Sequence, residues 1–296
     1  MTGTLLSLGH GYTAQALQRR LQPAGWTIIG TTRSAEKAER FANEGVEPLI
    51  WPGGGPLGPV LARATHVLIS IAPDDGGDPV LAAHNDEFAA ARHLRWVGYL
   101  STTGVYGDHQ GGWVDEDTPL TPGTKRGRIR VLAERQWQEV ASAAALPLHI
   151  FRLAGIYGPD RGPFAKVLNG TARRILKDGQ YFSRIHVDDI ASVLAASIAR
   201  PDLGAIYNVA DDDPAPPEDV LAEAARLLGL PLPPAIPFEK AEMTPLARSF
   251  YAESKRVRND RIAARLGVRL AYPDYRSGLR ALLAEEQGKA GTGDQV

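Results

Sequence analysis

The chain opens on a short apolar run, Leu5 to Leu8, followed by glycines and then by Thr13 to Leu21, where apolar residues recur at helical spacing. The couplet repeats. Thr27 to Gly30, Pro48 to Trp51, Val67 to Ile71, Trp96 to Leu100 and Leu148 to Leu153 are further short runs rich in Val, Ile and Leu. Unbroken apolar runs of this length read as strands covered on both faces, as in a parallel sheet. Between them, Pro79 to His93 and Lys125 to Ala145 have helical spacing, although their many alanines blunt the periodicity. The connection after Trp51 differs: Pro52 to Pro59 holds four glycines and three prolines, which predicts a loop leading into a short helix around Val60. Strands alternating with helices predict an α/β protein with a doubly wound, Rossmann-type parallel sheet.

After Leu153 the pattern loosens into shorter elements broken by proline, including Pro214, Pro216, Pro217, Pro231, Pro233 and Pro234. A smaller C-terminal substrate lobe is the expected reading. One segment returns to the sheet, because Ala205 to Val209 is a short apolar strand after a helix from Asp188 to Ala199. The expected division is therefore 1–155 for the nucleotide-binding domain, with a returning segment near 187–210, and most of 156–296 for the substrate lobe. Asp260 to Leu266 and Arg276 to Ala284 read as closing helices, and Gly288 to Val296 as a fraying tail.

Composition narrows the function. The 296 residues are 44% hydrophobic and 23% charged, as in a globular protein. A net charge of -1 gives no global attraction to nucleic acid or to an anionic membrane, so any anion site must be local. There are no cysteines, which excludes disulfides, thiol catalysis and thiolate metal sites and fits a reducing cytoplasm. No His, Asp and Glu spacing suggests a metal site. With neither a leader pattern nor a long apolar run, the expected location is cytoplasmic.

The strongest local signal is Gly9-His10-Gly11-Tyr12-Thr13-Ala14, placed after the first strand and opening the first helix. Gly9 permits a tight turn, Gly11 lets backbone approach a pyrophosphate, and Ala14 stands where a third glycine would allow close helix contact. The helix N-terminus then offers unpaired N–H groups to the phosphates, with Tyr12 and Thr13 in its first turn. Dinucleotide sites for NAD place an acidic residue at the end of the second strand. None is there. Thr32, Arg33 and Ser34 instead offer a guanidinium and hydroxyls, so the expected cofactor is NADP(H), with NAD(H) second; a solvated loop charge is the other reading of Arg33.

Later blocks carry a resemblance. Ser101-Thr102-Thr103-Gly104-Val105-Tyr106-Gly107, Asp115-Glu116-Asp117-Thr118-Pro119, Arg152-Leu153-Ala154-Gly155-Ile156-Tyr157-Gly158-Pro159 and Arg184-Ile185-His186-Val187-Asp188-Asp189 resemble, in order and spacing, the extended and atypical short-chain dehydrogenase/reductases of epimerase and dehydratase type. The resemblance covers most of residues 1 to 210. It implies an enzyme using NAD(P), with Ala154 and Ile156 beside the nicotinamide and Ile71 and Ala72 among the cofactor contacts. It also implies a small-molecule substrate, a nucleotide sugar being one class, and a homodimer formed through the helices at Pro79 to His93 and Lys125 to Ala145.

Such enzymes use a Ser or Thr, a Tyr and a Lys, and the resemblance puts Thr102 at the first position. With Glu134 aligned to a glutamate of the family, Arg126 falls at the tyrosine position and Arg130 at the lysine position. Arginine does not release a proton at ordinary pH, so the usual acid is missing. Arg130 retains the charge to bind ribose or stabilise an oxyanion, and Tyr106 is the nearest phenol to Thr102. Against these roles stand simpler ones: Arg130 paired with Glu134 on a helix face, Thr102 capping a loop, Tyr106 packing, and Asp78, Asp188 or Asp189 as helix caps. Arg184, Arg248 and Tyr251 are further candidates to meet an anionic substrate. The expected function is an NADP(H)-dependent oxidoreductase or epimerase/dehydratase-like enzyme acting on a carbonyl or carbinol. A non-catalytic NADP(H)-binding redox sensor or regulatory protein is the alternative.

Overall fold

The computed structural model describes residues 2–52 and 57–293. The chain begins with β1 (Thr4–Leu8), α1 (Tyr12–Leu21), β2 (Thr27–Thr32), α2 (Ala35–Asn43), β3 (Glu47–Ile50), α3 (Gly58–Arg63), β4 (His66–Ile69), α4 (Pro79–Ala90) and β5 (Trp96–Thr102). It continues through β6 (Trp113–Val114), α5 (Lys125–Ala144), β7 (Leu148–Leu153), β8 (Gly155–Tyr157), α6 (Phe164–Leu168), β9 (Arg174–Leu176), β10 (Arg184–His186), α7 (Val187–Ala199) and β11 (Ile206–Val209). The remaining elements are α8 (Pro217–Leu227), β12 (Ala235–Pro237), α9 (Pro245–Phe250), β13 (Arg256–Val257), α10 (Asp260–Leu266) and α11 (Tyr275–Gly293).

Seven strands form one parallel sheet in the order β11-β7-β5-β4-β1-β2-β3. The apolar runs follow from how its two faces are used. Leu5, Ile28 and Leu68 pack with Leu17 and Phe41 on one side, while Leu6, Ile29 and Val67 pack with Leu61 and Phe88 on the other. Because both faces are covered, apolar residues fill adjacent strand positions, as at Leu5 and Leu6 or Val67 and Leu68, and each fully buried leucine contributes roughly 2 kcal/mol. Helices α1 and α7 pack together, as do α4 and α5. This is the Rossmann-type, doubly wound arrangement that the alternation predicts, with the strand order reversing beside β1, where such sheets open a ligand crevice.

Three two-stranded parallel pairs, β8 with β10, β9 with β12 and β6 with β13, stand outside the sheet. Tyr157, Phe164, Ala224, Tyr275, Leu279 and Leu282 form a separate apolar cluster among these later elements. Among the described residues no helix is long and apolar enough to cross a membrane.

Several elements depart from the sequence reading. Helix α2 is an element the sequence reading does not include, although Ala35, Ala38, Phe41 and Ala42 lie at helical spacing. Helix α4 ends at Ala90 rather than His93 and is kinked at His84, whose φ of -138° is not helical. Helix α11 runs on to Gly293 where a frayed tail was expected, and residues 294–296 lie outside the described residues. In the loop predicted after Trp51, residues 53–56 lie outside the described residues as well, and α3 follows at the expected place.

Candidate functional site

A cleft of about 1150 Å³ opens along the C-terminal ends of β1, β4, β5 and β7 and is closed on its far side by residues of the later elements. At one end lies the glycine loop. Gly9 takes φ +85°, a left-handed conformation, and a Cβ there would come within 2.9 Å of the Ile71 side chain. Its N–H donates to Thr31 Oγ1 at 2.7 Å, while Ser70 Oγ donates to its carbonyl. The chain is thereby turned into α1, whose N-cap is Gly11 with no side-chain cap. The first N–H groups of α1 are left for an anion, and Gly9, Gly11, Tyr12 and Thr13 line the cleft beside them. Ala14 is buried in the sheet-facing side of α1, where a larger side chain would push the helix away.

At the end of β2, Arg33 is exposed and its guanidinium has no hydrogen bond or ion pair among the described residues. Thr32 Oγ1 accepts from the Ser34 N–H at 3.2 Å, and Ser34 Oγ caps α2 by accepting from the Lys37 N–H at 3.3 Å. Both hydroxyls retain a proton to donate. Ile71 packs beneath Gly9, whereas Ala72 lines an adjoining pocket of about 410 Å³ with Arg126 and Arg130. Ala154 and Ile156, on either side of the step from β7 to β8, line the main cleft.

Thr102, Arg126 and Arg130 also line that cleft, so the fold brings three of the four catalytic candidates together. Thr102 ends β5, and its Oγ1 accepts from the Gly104 N–H at 3.2 Å. This bond caps a 3-10 turn and leaves the Thr102 O–H free to donate into the cleft. Arg126 is exposed, with its guanidinium 5.8 Å from the Phe250 ring. Arg130 is half-buried and donates to the Leu100 carbonyl at 2.9 Å and the Tyr99 hydroxyl at 3.1 Å.

Tyr106 has to be corrected. It is fully buried, does not line the cleft, donates to Asn208 Oδ1 at 2.7 Å and accepts from Arg152 Nη1 at 3.0 Å. Its phenol is spent on the interior and is no acid for a cleft substrate. The alternative reading, Arg130 paired with Glu134 on a helix face, is not what forms. Glu134 points inward, accepts from Ser101 Oγ and binds Arg152 with Nη2 at 2.9 Å from Oε2. Both ion-pair partners are almost wholly buried, at 4% and 2% side-chain exposure, so each must satisfy the other. Glu116 extends the network by accepting from the Asn208 N–H at 2.8 Å. The signal in the sequence was Glu134 itself, whose partner lay on the next strand rather than one helical turn away.

Other candidates sort readily. Asp78 caps α4 by accepting from the Val80 N–H at 2.8 Å. His186, not Asp188 or Asp189, caps α7, accepting from the Asp188 N–H at 3.2 Å, while buried Asp189 holds the Ala271 and Tyr272 N–H groups. Arg184 and Tyr251 line the cleft, with Arg184 donating to the Phe182 and Ala215 carbonyls at 2.8 and 3.0 Å. Arg248 lies off the cleft lining and donates to the Ala241 carbonyl at 2.8 Å. Burial raises the phenol pKa of Tyr12, to about 12, and raises those of Tyr157, Tyr251 and Tyr275. These four cleft phenols hold their protons at neutral pH and are not bases there.

Comparison with known proteins fits this geometry. Residues 86–210 match the NAD dependent epimerase/dehydratase family. Over those residues, less than half of the chain, it is similar to that family. A functionally unknown conserved protein from Silicibacter pomeroyi DSS is 64% identical, with TM-score 0.90 over 96% of this chain and 99% of that one. A 3-diazoavenalumate denitrifying reductase from Streptomyces sp is 31% identical over 184 residues, which are 56% of this chain and only 58% of that protein. The UDP-glucuronic acid 4-epimerase of Bacillus cereus, in complex with NAD, shares the fold at TM-score 0.73 and 15% identity, over 98% of this chain and 99% of that one.

Proposed function

We propose that the chain is an NADP(H)-dependent oxidoreductase or epimerase-like enzyme that acts on a carbonyl or carbinol. The carrying observation is that one cleft holds the uncapped N-terminus of α1, the Thr102 hydroxyl and the Arg126 and Arg130 guanidiniums. The similarity to a reductase over part of its length and the NAD dependence of the family support the same reading. A dinucleotide fits here because Gly9 and Gly11 leave the backbone bare where the phosphates approach. Unpartnered Arg33, with no carboxylate at the end of β2, favours the form carrying a 2′-phosphate. Most of 156–296, apart from the returning segment near 187–210, supplies the substrate lobe.

Roles follow from the side chains. When bound, the dinucleotide gives or takes the hydride. Thr102 donates its O–H to the reacting oxygen and orients it. Arg126, a fixed cation, stabilises negative charge developing there, and Arg130 meets the ribose. Arg126, Lys166, Arg173, Arg184 and Lys255 line the cleft against the carboxylates of Glu242 and Glu253, which favours an anionic substrate. A nucleotide sugar, the substrate named for the Bacillus cereus neighbour, is one such compound.

The test is Thr102→Val, followed by the absorbance of reduced nicotinamide in a screen of carbonyl compounds and nucleotide sugars. Hydride transfer should vanish while NADPH affinity is kept, because the hydroxyl faces substrate. Turnover at the unmodified rate would remove Thr102 from the chemistry. Affinity provides a second check: NADPH should bind the unmodified protein more tightly than NADH, and Arg33→Glu should reverse that order in a calorimetric titration.

A further inference from the structure

The turn between β8 and α6 is built directly onto the glycine loop. Gly158 and Arg161 face each other in a two-bond bridge, with the Arg161 N–H donating to the Gly158 carbonyl at 3.0 Å and the reverse bond at 3.4 Å. Asp160 takes φ +60° at the turn's tip, a left-handed conformation that a residue with a Cβ adopts only when its surroundings impose it. Three contacts fix this turn against Tyr12, the first residue of α1. The Tyr12 hydroxyl donates to the Pro159 carbonyl at 2.9 Å, a bond kept at neutral pH because burial holds the phenol protonated. A Cβ on Gly158 would fall 2.4 Å from that hydroxyl, so only glycine permits the approach. Finally, the Arg161 guanidinium sits 5.2 Å from the Tyr12 ring centroid.

That guanidinium lines the cleft with Gly9, Gly11 and Thr13 and has no hydrogen bond or ion pair among the described residues. We infer that Arg161 binds the dinucleotide's pyrophosphate from the side opposite α1, resting on the dinucleotide reading above. The helix N-terminus supplies neutral N–H donors from one side, and Arg161 supplies the charge and the forked donors that phosphate oxygens accept well. The ring of Tyr12 is the platform that holds the side chain in reach, since a guanidinium stacked on an aromatic face loses little further freedom when it binds. The cofactor is thus gripped between the first turn of α1 and a segment some 150 residues later in the chain.

Arg33 and Arg161 then read different parts of one ligand, and this makes the assignment testable. Titration of Arg161→Gln with NADPH and with NADH should show both dissociation constants raised by the same factor, about tenfold, because the pyrophosphate is common to both. Arg161→Lys, which keeps the charge but not the fork, should recover part of the loss. Arg33→Ala should weaken NADPH alone. Arg161 is exposed, so both variants should melt with the unmodified protein. Unchanged affinity for both cofactors in Arg161→Gln, or a loss confined to NADPH, overturns the pyrophosphate assignment. Saturable binding of neither cofactor by the unmodified protein would instead overturn the dinucleotide reading, and the inference with it.

Discussion

Helix α5 carries Glu134 inward, where Arg152 and Ser101 hold it, and carries Arg126 outward into the cleft, where no carboxylate meets it. The same helix therefore uses charge in two ways. Inside, the charge is matched and locked, and it joins α5 to β5 and β7. On the cleft face it has no counter-charge, only the Phe250 ring at 5.8 Å, which leaves attraction for a ligand. A charged residue's role thus depends on whether the fold supplies its counter-charge, and helical spacing alone does not report that.

Removing the inner partner should have the largest effect. Glu134→Ala leaves the Arg152 guanidinium buried and uncompensated, and should lower unfolding stability by about 3–5 kcal/mol in urea. Pairing Glu134→Leu with Arg152→Met should restore much of it, because the apolar pair no longer needs mutual satisfaction. If Glu134→Ala costs under about 1 kcal/mol, the inner face is not locked and the contrast fails.

The next test extends the contrast to another buried titratable group. His149 is fully buried, with Nε2 accepting the Asp202 N–H at 2.9 Å, and burial pushes its pKa from 6.5 down to about 4. Its contribution is complete above pH 6.5. As pH falls from there toward about 4, the unfolded chain takes up a proton that the folded chain refuses, so stability falls, by on the order of 2 kcal/mol. His149→Gln, which keeps an acceptor but does not titrate, should flatten that part of the melting-temperature profile.

The cleft face should respond in binding rather than in stability. Arg130→Ala should weaken NADP(H) by about 1–3 kcal/mol, the size of a lost charge-assisted hydrogen bond, as read by calorimetry. Arg126→Ala should be the mildest for the fold, leaving unfolding within about 0.5 kcal/mol of the unmodified value. Its effect belongs to turnover. A large loss of stability in Arg126→Ala would mean that the outer charges are structural after all.

How much of this could be read from the residues depends on the range of the interactions. The inner strands of the sheet were legible because burial on both faces writes itself as consecutive apolar positions, as at Leu5 and Leu6, whereas the edge strand β3 keeps Glu47 and Pro48 exposed. The glycine loop and Thr102 were legible because motif and strand end are adjacent in sequence. Helix α2 is fainter, since its apolar face rests on one phenylalanine among alanines. Tyr106 was misplaced for a different reason: its hydroxyl is claimed by Asn208, 102 positions away, and no local pattern announces such a partner. Arg161 was overlooked because its meaning comes from Tyr12, on an element far earlier in the chain.

The place of β11 at the end of the sheet, beside β7, has a consequence for how the molecule is made. A ribosome releases β1 to β7 first, and about fifty residues of small elements then emerge before the closing strand does. Until then the β7 edge is open, with the Ile150 and Ala154 N–H groups, later taken by the Ala205 and Val209 carbonyls at 3.0 Å each, facing water or a stray neighbour. Nascent chains halted just before Ile206 should therefore engage chaperones more strongly than chains halted just past Val209, and a clone ending near residue 155 should be recovered mainly as aggregate.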